Sequence, residues 1–307
     1  MSHIHTRPPF MGKTFLDLPL CTNLEELQAK IVILGISQGC LYPGGPVPND
    51  QARAPATIRL ESARLSLGLD RWDFDIDGTL DAREVVDCGD IPVLDAAAGT
   101  QRSAETVRAI LERGARPVIM GGDHSITIPV LRAFDGLGPL TLVQVDAHLD
   151  WRDEVSGVRE GYSSPIRRAA EMAHVGPIFQ IGLRGQGSAR QGELQAAQDY
   201  GAELISAYQV HEQGMPAILR RIPDGGRYYL TIDADGLDPS VMPAVEGPAA
   251  GGLSFHQVRA LIHGLAHKGR LIGMDIVEIT PSRDPIGITA LTAGQLMVNF
   301  IGTVAGG

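Results

Sequence analysis

Short apolar runs rich in β-branched residues alternate with longer amphipathic segments along most of the chain. Runs at 31–36, 84–86, 117–120, 140–145, 178–181, 202–205, 228–232 and 271–276 read as buried strands, because apolar residues fill nearly every position rather than every second one. Between them, segment 104–113 carries Val107, Ile110 and Leu111 at helical spacing, and segment 255–267 repeats the pattern with Val258, Leu261, Ile262 and Leu265. Strands separated by one-faced helices predict βαβ units and a mainly parallel α/β sheet with helices on its faces. The irregular stretch 37–56, with Gly39, Pro43, Gly44, Gly45, Pro46 and Pro48, is longer than an ordinary connection and reads as a functional loop. No repeat, low-complexity tract or composition shift marks a linker, so the expectation is a single domain over 1–307 with an N-terminal extension over 1–25.

Composition narrows the class. At 44% hydrophobic and 20% charged residues the chain can build a substantial core. With 26 basic against 36 acidic side chains, the formal charge of −10 argues against a nucleic-acid or anionic-membrane partner, both of which need a basic face. Three cysteines without CxxC spacing fit neither a disulfide framework nor a structural zinc site. A reducing compartment is the simpler expectation, and with no apolar N-terminal core of signal-peptide length the cytoplasm is the expected location.

The chemistry concentrates at the C-terminal ends of four expected strands, the edge where a parallel sheet binds ligands. The clusters are Gly121-Gly122-Asp123-His124-Ser125, Asp146-Ala147-His148-Leu149-Asp150, Asp233-Ala234-Asp235 and Glu278. On extended backbone, residues i, i+2 and i+4 share a side, so Asp146, His148 and Asp150 can converge, as can Asp233 and Asp235. Either motif alone is what a cap or turn also uses. Four carboxylates and two imidazoles on one edge would repel strongly without bound cations. Six ligands without cysteine suffice for two divalent ions, and an oxygen-rich set suits Mn²⁺ better than structural zinc. Two such ions acidify a shared water, which makes hydrolysis the expected reaction. The chain carries no Gly-x-Ser-x-Gly elbow, P-loop or complete dinucleotide fingerprint, so no cofactor beyond metal is expected.

In order and spacing, GGDHS, DAHLD, DADGLDP and the VEITP end resemble the ureohydrolase family of arginases, agmatinases and their relatives, from about Ile31 to Val304. The resemblance implies a three-layer α/β/α domain on an eight-stranded parallel sheet, a binuclear Mn²⁺ site, release of urea from a small guanidino substrate, and a homo-oligomer, trimer or hexamer. It further implies that His124, Asp146, Asp150 and Asp233 hold one ion and Asp146, His148, Asp233 and Asp235 the other. Asp150 would carry a proton to the leaving amine, and Glu278 would pair with the guanidinium. Where many members have histidine opening an HGxP segment, this chain has Tyr162, whose phenol does not shuttle protons near neutral pH but can donate a hydrogen bond to substrate. Loop 243–252, Pro-Ala-Val-Glu-Gly-Pro-Ala-Ala-Gly-Gly, lacks an acidic residue at the place where the agmatinase GTPEPGG loop carries one. Agmatine is the single substrate expected, because no arginase-type segment for an α-amino acid follows Asp150. Trp151, Arg152 and Arg159 point instead toward a carboxylate tail, as in 4-guanidinobutyrate. A formimino substrate and a non-catalytic family subunit are the alternatives, the latter disfavoured because all six ligand positions are filled.

Overall fold

The computed structural model describes residues 4–39, 42–43, 50–91 and 96–305. All eight strand expectations correspond to strands: β1 Ile31–Ile36, β2 Val85–Asp90, β3 Arg116–Gly121, β4 Leu140–Val145, β5 Val175–Leu183, β6 Glu203–Ser206, β7 Arg227–Asp233 and β8 Arg270–Val277. They form one sheet in the order β2-β1-β3-β8-β7-β4-β5-β6, every neighbouring pair parallel. The helices are α1 Ala54–Ser66, α2 Ala96–Glu112, α3 Thr127–Arg132, α4 Pro165–Ala170, α5 Gln191–Tyr200, α6 Ala207–Gln213, α7 Met215–Leu219, α8 Phe255–Lys268 and α9 Ile288–Ala305.

Alternation along each strand builds two cores. Ile31 and Ile33 of β1, Val118 and Met120 of β3, and Val143 and Val145 of β4 face α1, α8 and α9, packing on Ile58, Leu261 and Leu296. Val32, Leu34, Ile119 and Leu142 point to the other face, against Val107 and Ile110 of α2 and Ile166 of α4. This is the three-layer α/β/α arrangement. Helix α8 starts where Ser254 and Gln257 form a reciprocal capping box, and its buried face is the expected Val258, Leu261, Ile262 and Leu265. By length and composition α9 could cross a membrane; 61% of it is buried inside the fold, as in a core helix.

Two element boundaries differ from expectation. Strand β2 runs to Asp90 rather than stopping near Val86, because the polar run Asp87-Cys88-Gly89-Asp90 is buried against Arg59. The Arg59 guanidinium donates to both Asp87 oxygens at 2.8 and 2.9 Å and to Asp90 at 2.6 Å, so three charges that would be costly to bury singly are buried paired. Helix α2 begins eight residues before 104, over an Ala-Gly-Ser-rich stretch with no apolar period to announce it. Of stretch 37–56, residues 40–41 and 44–49 lie outside the described residues, and from Gln51 the chain is already a 3-10 turn leading into α1. Within the segment read as an extension, Phe15 and Leu16 reach the core, Phe15 N–H donates to Asp87 at 2.8 Å, and bridges from Arg7 and Leu20 cover the free edge of β2.

Candidate metal and substrate site

The sheet order decides where the four motifs meet. Strands β3, β8, β7 and β4 are consecutive neighbours, although they come from opposite halves of the chain. Val145 pairs with Ile232, Ile232 with Ile276, and Ile276 with Met120. One residue further along each strand lie Asp146, Asp233, Val277 and Gly121, so the motifs leave the sheet at one level, side by side. The turn after β3 can pack tightly because Gly122 has no side chain; a Cβ there would lie 1.7 Å from the Gln38 carbonyl oxygen.

Asp146 and Asp233 each spend one oxygen on their own turn. Asp146 Oδ1 accepts from His148 N at 2.6 Å, and Asp233 Oδ1 accepts from Asp235 N at 2.8 Å. The other oxygens converge. His124 Nδ1 lies 2.9 Å from Asp150 Oδ2, 3.3 Å from Asp146 Oδ2 and 3.4 Å from Asp233 Oδ2, while His148 Nδ1 lies 3.0 Å from Asp235 Oδ2 and 3.5 Å from Asp146 Oδ1. Two groups able to hold a metal result, His124 with Asp146 and Asp233, and Asp146 with His148 and Asp235. Asp146 belongs to both, and Asp150 flanks the first through His124. All six expected ligand residues are therefore together at one point.

The proton bookkeeping favours a cation. Thr231 Oγ1 donates to Asp275 Oδ1 at 2.5 Å and sits 2.9 Å from His124 Nε2, so it is the acceptor there and Nε2 carries the imidazole hydrogen. Nδ1, which points into the carboxylates, is then the nitrogen whose lone pair can take a cation in place of a proton. Nδ1 is fully buried and aligned in a hydrogen bond with none of them. That is the geometry of a ligand atom whose other ring nitrogen is held by its surroundings. Asp275, itself buried, also accepts from Tyr229 and Thr127. Asp146 is held similarly: Gln180 donates to Gln144, and Gln144 donates to Asp146 Oδ2 at 2.6 Å.

Without ions the cluster holds protons. Burial, then the nearby charge of Asp146, raises the Asp150 carboxyl to about 7. Hydrogen bonding to Asp146 and Asp235 raises His148 to about 12. Burial alone would lower His124, but the surrounding carboxylates outweigh it and raise it well above its usual value. Burial, followed by Asp235 and Asp146, also pushes Asp233 up. Metals bind the deprotonated forms, so uptake must expel these protons. Apparent affinity for Mn²⁺ should rise as pH increases from 6 to 8, through the Asp150 value, with proton release that titration calorimetry in buffers of different ionisation enthalpy will record. Affinity independent of pH over that range would contradict the protonation pattern.

A cavity of about 550 Å³ opens over the cluster, within the usual range for small-molecule sites. Glu278 lies on its wall, where its Oε1 accepts from His124 N at 2.6 Å and its Oε2 accepts from Gln51 Nε2. Burial, then the charges of Asp233 and Asp123, raises its pKa. Asp150 and Glu278 both have left-handed backbone, with φ of 51° and 67°. Non-glycine residues seldom adopt that conformation, and it is a recurrent cost at functional sites. Tyr162 lines the cavity with its ring 4.6 Å from that of Tyr42, and burial followed by Glu246 raises its phenol to about 12. Arg152 lines the mouth, 3.3 Å from Glu193, and Arg190 reaches the same Glu193 oxygen at 3.2 Å. Trp151 forms part of the wall but is only 2% exposed, its ring packed toward Tyr200. Arg159 turns away to Asp153 on the surface.

Sequence reasoning passed over several residues here. Gln144 was legible as a polar residue inside an apolar strand, two before Asp146 and so on its face. Asp275 was legible in the same way within β8. Gln51, Tyr42, Arg190 and Glu246 arrive from loops and a distant helix start, for which no spacing rule gives a signal.

A family model described as the arginase family matches residues 29–302. The chain is 36% identical over 195 residues to the N(1)-aminopropylagmatine ureohydrolase of Thermus thermophilus, an alignment spanning 62% of this chain and 64% of that relative's length. It is 32% identical to the guanidinopropionase of Pseudomonas aeruginosa over 304 residues, 96% of this chain and 92% of the relative. Among solved structures, the proclavaminate amidino hydrolase from Streptomyces clavuligerus superposes with a TM-score of 0.78 at 27% identity, covering 95% of this chain and 97% of the other.

Proposed function

The chain belongs to the arginase family, and from that premise we propose that it hydrolyses the guanidino group of a small substrate to urea and an amine, using two divalent ions, best matched by Mn²⁺. The observation that carries this reading is the meeting of the two metal-capable groups at the shared Asp146, with Glu278 beside them on the cavity wall. Bound there, the ions would lower the pKa of a water and so supply a nucleophile at neutral pH. The donor set fits them, since it is all nitrogen and oxygen and the buried Nδ1 of His124 otherwise lacks an aligned partner.

The residues of the chain do the rest. Glu278 binds the guanidinium through the lone pairs left free by His124 N and Gln51, fixing the central carbon over the metal groups. Asp150 beside His124 is placed to take a proton from the attacking water and return it to the leaving amine. Tyr162, its phenol raised to about 12, stays protonated and offers a hydrogen bond to substrate rather than a proton relay.

At the mouth, Arg152 and Arg190 share one carboxylate, Glu193, which leaves one positive charge in excess. This supports a substrate with a carboxylate tail, a guanidino acid such as 4-guanidinobutyrate, over agmatine, whose ammonium would meet that charge. Urea release from a guanidino panel with Mn²⁺ tests both statements. No urea from any member would end the hydrolase reading. The Arg152→Ala variant should raise KM for the guanidino acid roughly tenfold and lower KM for agmatine by removing that excess charge; the same acid-to-agmatine preference in parent and variant would remove Arg152 from tail recognition.

A further inference from the structure

We infer that Glu246 is a second carboxylate for the cationic head of the substrate, acting with Glu278 as a two-sided clamp; the inference rests on the guanidino hydrolase reading above. Val245 and Ile279 form an antiparallel bridge, and Thr280 N–H donates to the Ala244 carbonyl at 2.9 Å. In that register Glu246 stands directly opposite Glu278. The two side chains share a side, because Gln51 Nε2 donates to Glu278 Oε2 and lies 3.4 Å from Glu246 Oε2. Both line the cavity.

Two carboxyl groups opposed across a bridge cannot both be ionised there without a cost. A planar cation with five N–H donors removes that cost: it can face one carboxylate with a pair of N–H groups and donate a third to the other. The loop is close enough to do so. Gly247 sits over the second metal-capable group, where a Cβ would lie 3.2 Å from His148 Cε1 and 3.5 Å from Asp235 Oδ2, so Glu246 enters the cavity next to the residue that touches the metal ligands. Glu246 also bears on Tyr162, whose phenol its charge helps to keep protonated.

Guanidinium and urea, equal in shape and different in charge, separate this role from a structural one. Binding of each at millimolar concentration to the Mn²⁺-loaded protein is measured by calorimetry for the parent and for Glu246→Gln, which keeps the side-chain length and an oxygen acceptor. Metal content is measured in parallel. The expected result is unchanged metal content, guanidinium bound about tenfold more weakly by the variant, and urea bound equally by both. Equal guanidinium affinity in parent and variant would overturn the clamp, and so would equal weakening of guanidinium and urea. A metal-loaded parent that binds no guanidinium would overturn the hydrolase reading itself, a result distinct from either.

Discussion

Asp146→Ala is expected to yield a folded protein that retains less than one equivalent of metal after incubation with Mn²⁺ and hydrolyses no guanidino substrate at a measurable rate. Asp146 is the residue common to the two metal-capable groups, so its loss opens both. It also leaves the Gln144 amide without its acceptor and His148 N–H without the turn oxygen that orders the DAHLD segment. Metal ions contribute several kcal/mol to transition-state stabilisation, which corresponds to a fall of about 10³-fold or more in kcat/KM. Burial would raise the Asp146 pKa, but hydrogen bonds from His124 and His148 hold it low, so the variant also loses a carboxylate that stays ionised in the metal-free cluster. Elemental analysis together with urea assays decides the matter: a variant that keeps two equivalents would show that Asp146 bridges nothing.

Glu278→Ala should separate binding of metal from binding of substrate. Glu278 touches none of the six expected ligand side chains through its carboxylate; its contacts are the His124 backbone N–H and Gln51. Metal content is therefore expected to match the parent, while kcat/KM falls roughly 10²- to 10³-fold through loss of a charge-assisted pair in a water-poor site. Because the side chain also accepts from the His124 N–H, Glu278→Gln serves as the control. Its amide oxygen can keep that hydrogen bond while the charge is lost, so the deficit that persists in the amide variant measures the charge alone. Parent-rate hydrolysis by Glu278→Ala would refute the anchor role.

The parts of the site that could be read from the chain are those encoded locally. DAHLD and DAD follow apolar runs, and alternation on extended backbone already points their side chains one way. The existence of all eight strands was equally plain, because a strand buried on both faces must be apolar throughout. What sequence could not supply is pairing between distant segments. Nothing local says that β8 inserts between β3 and β7, and it is this insertion that brings Glu278 to His124. The cross-strand opposition of Glu246 and Glu278 depends on the register of a single bridge. The expected strand stopped at Val86 because Arg59, which makes burial of the polar end of β2 tolerable, lies 28 residues before Asp87. Trp151 followed the motif directly and suggested a substrate contact; it lines the cavity but is only 2% exposed, its ring beside that of Tyr200.

The strand order carries a consequence for how the molecule comes into being. His124 and Asp146 are made early, whereas Asp233 and Glu278 belong to the last third of the chain, and the strand that separates β3 from β7 is the final one. A ribosome-bound chain that has extruded only β1 to β6 has neither metal group complete and has a gap in the middle of its sheet. The second metal-capable group needs only the pairing of β4 with β7, whereas the first also needs β8 to set His124 beside them, so metal would be captured there late in biosynthesis. Long-range parallel pairing of this kind makes folding slow, and ions bound to the finished site would drain the population of partly closed chains toward the native one.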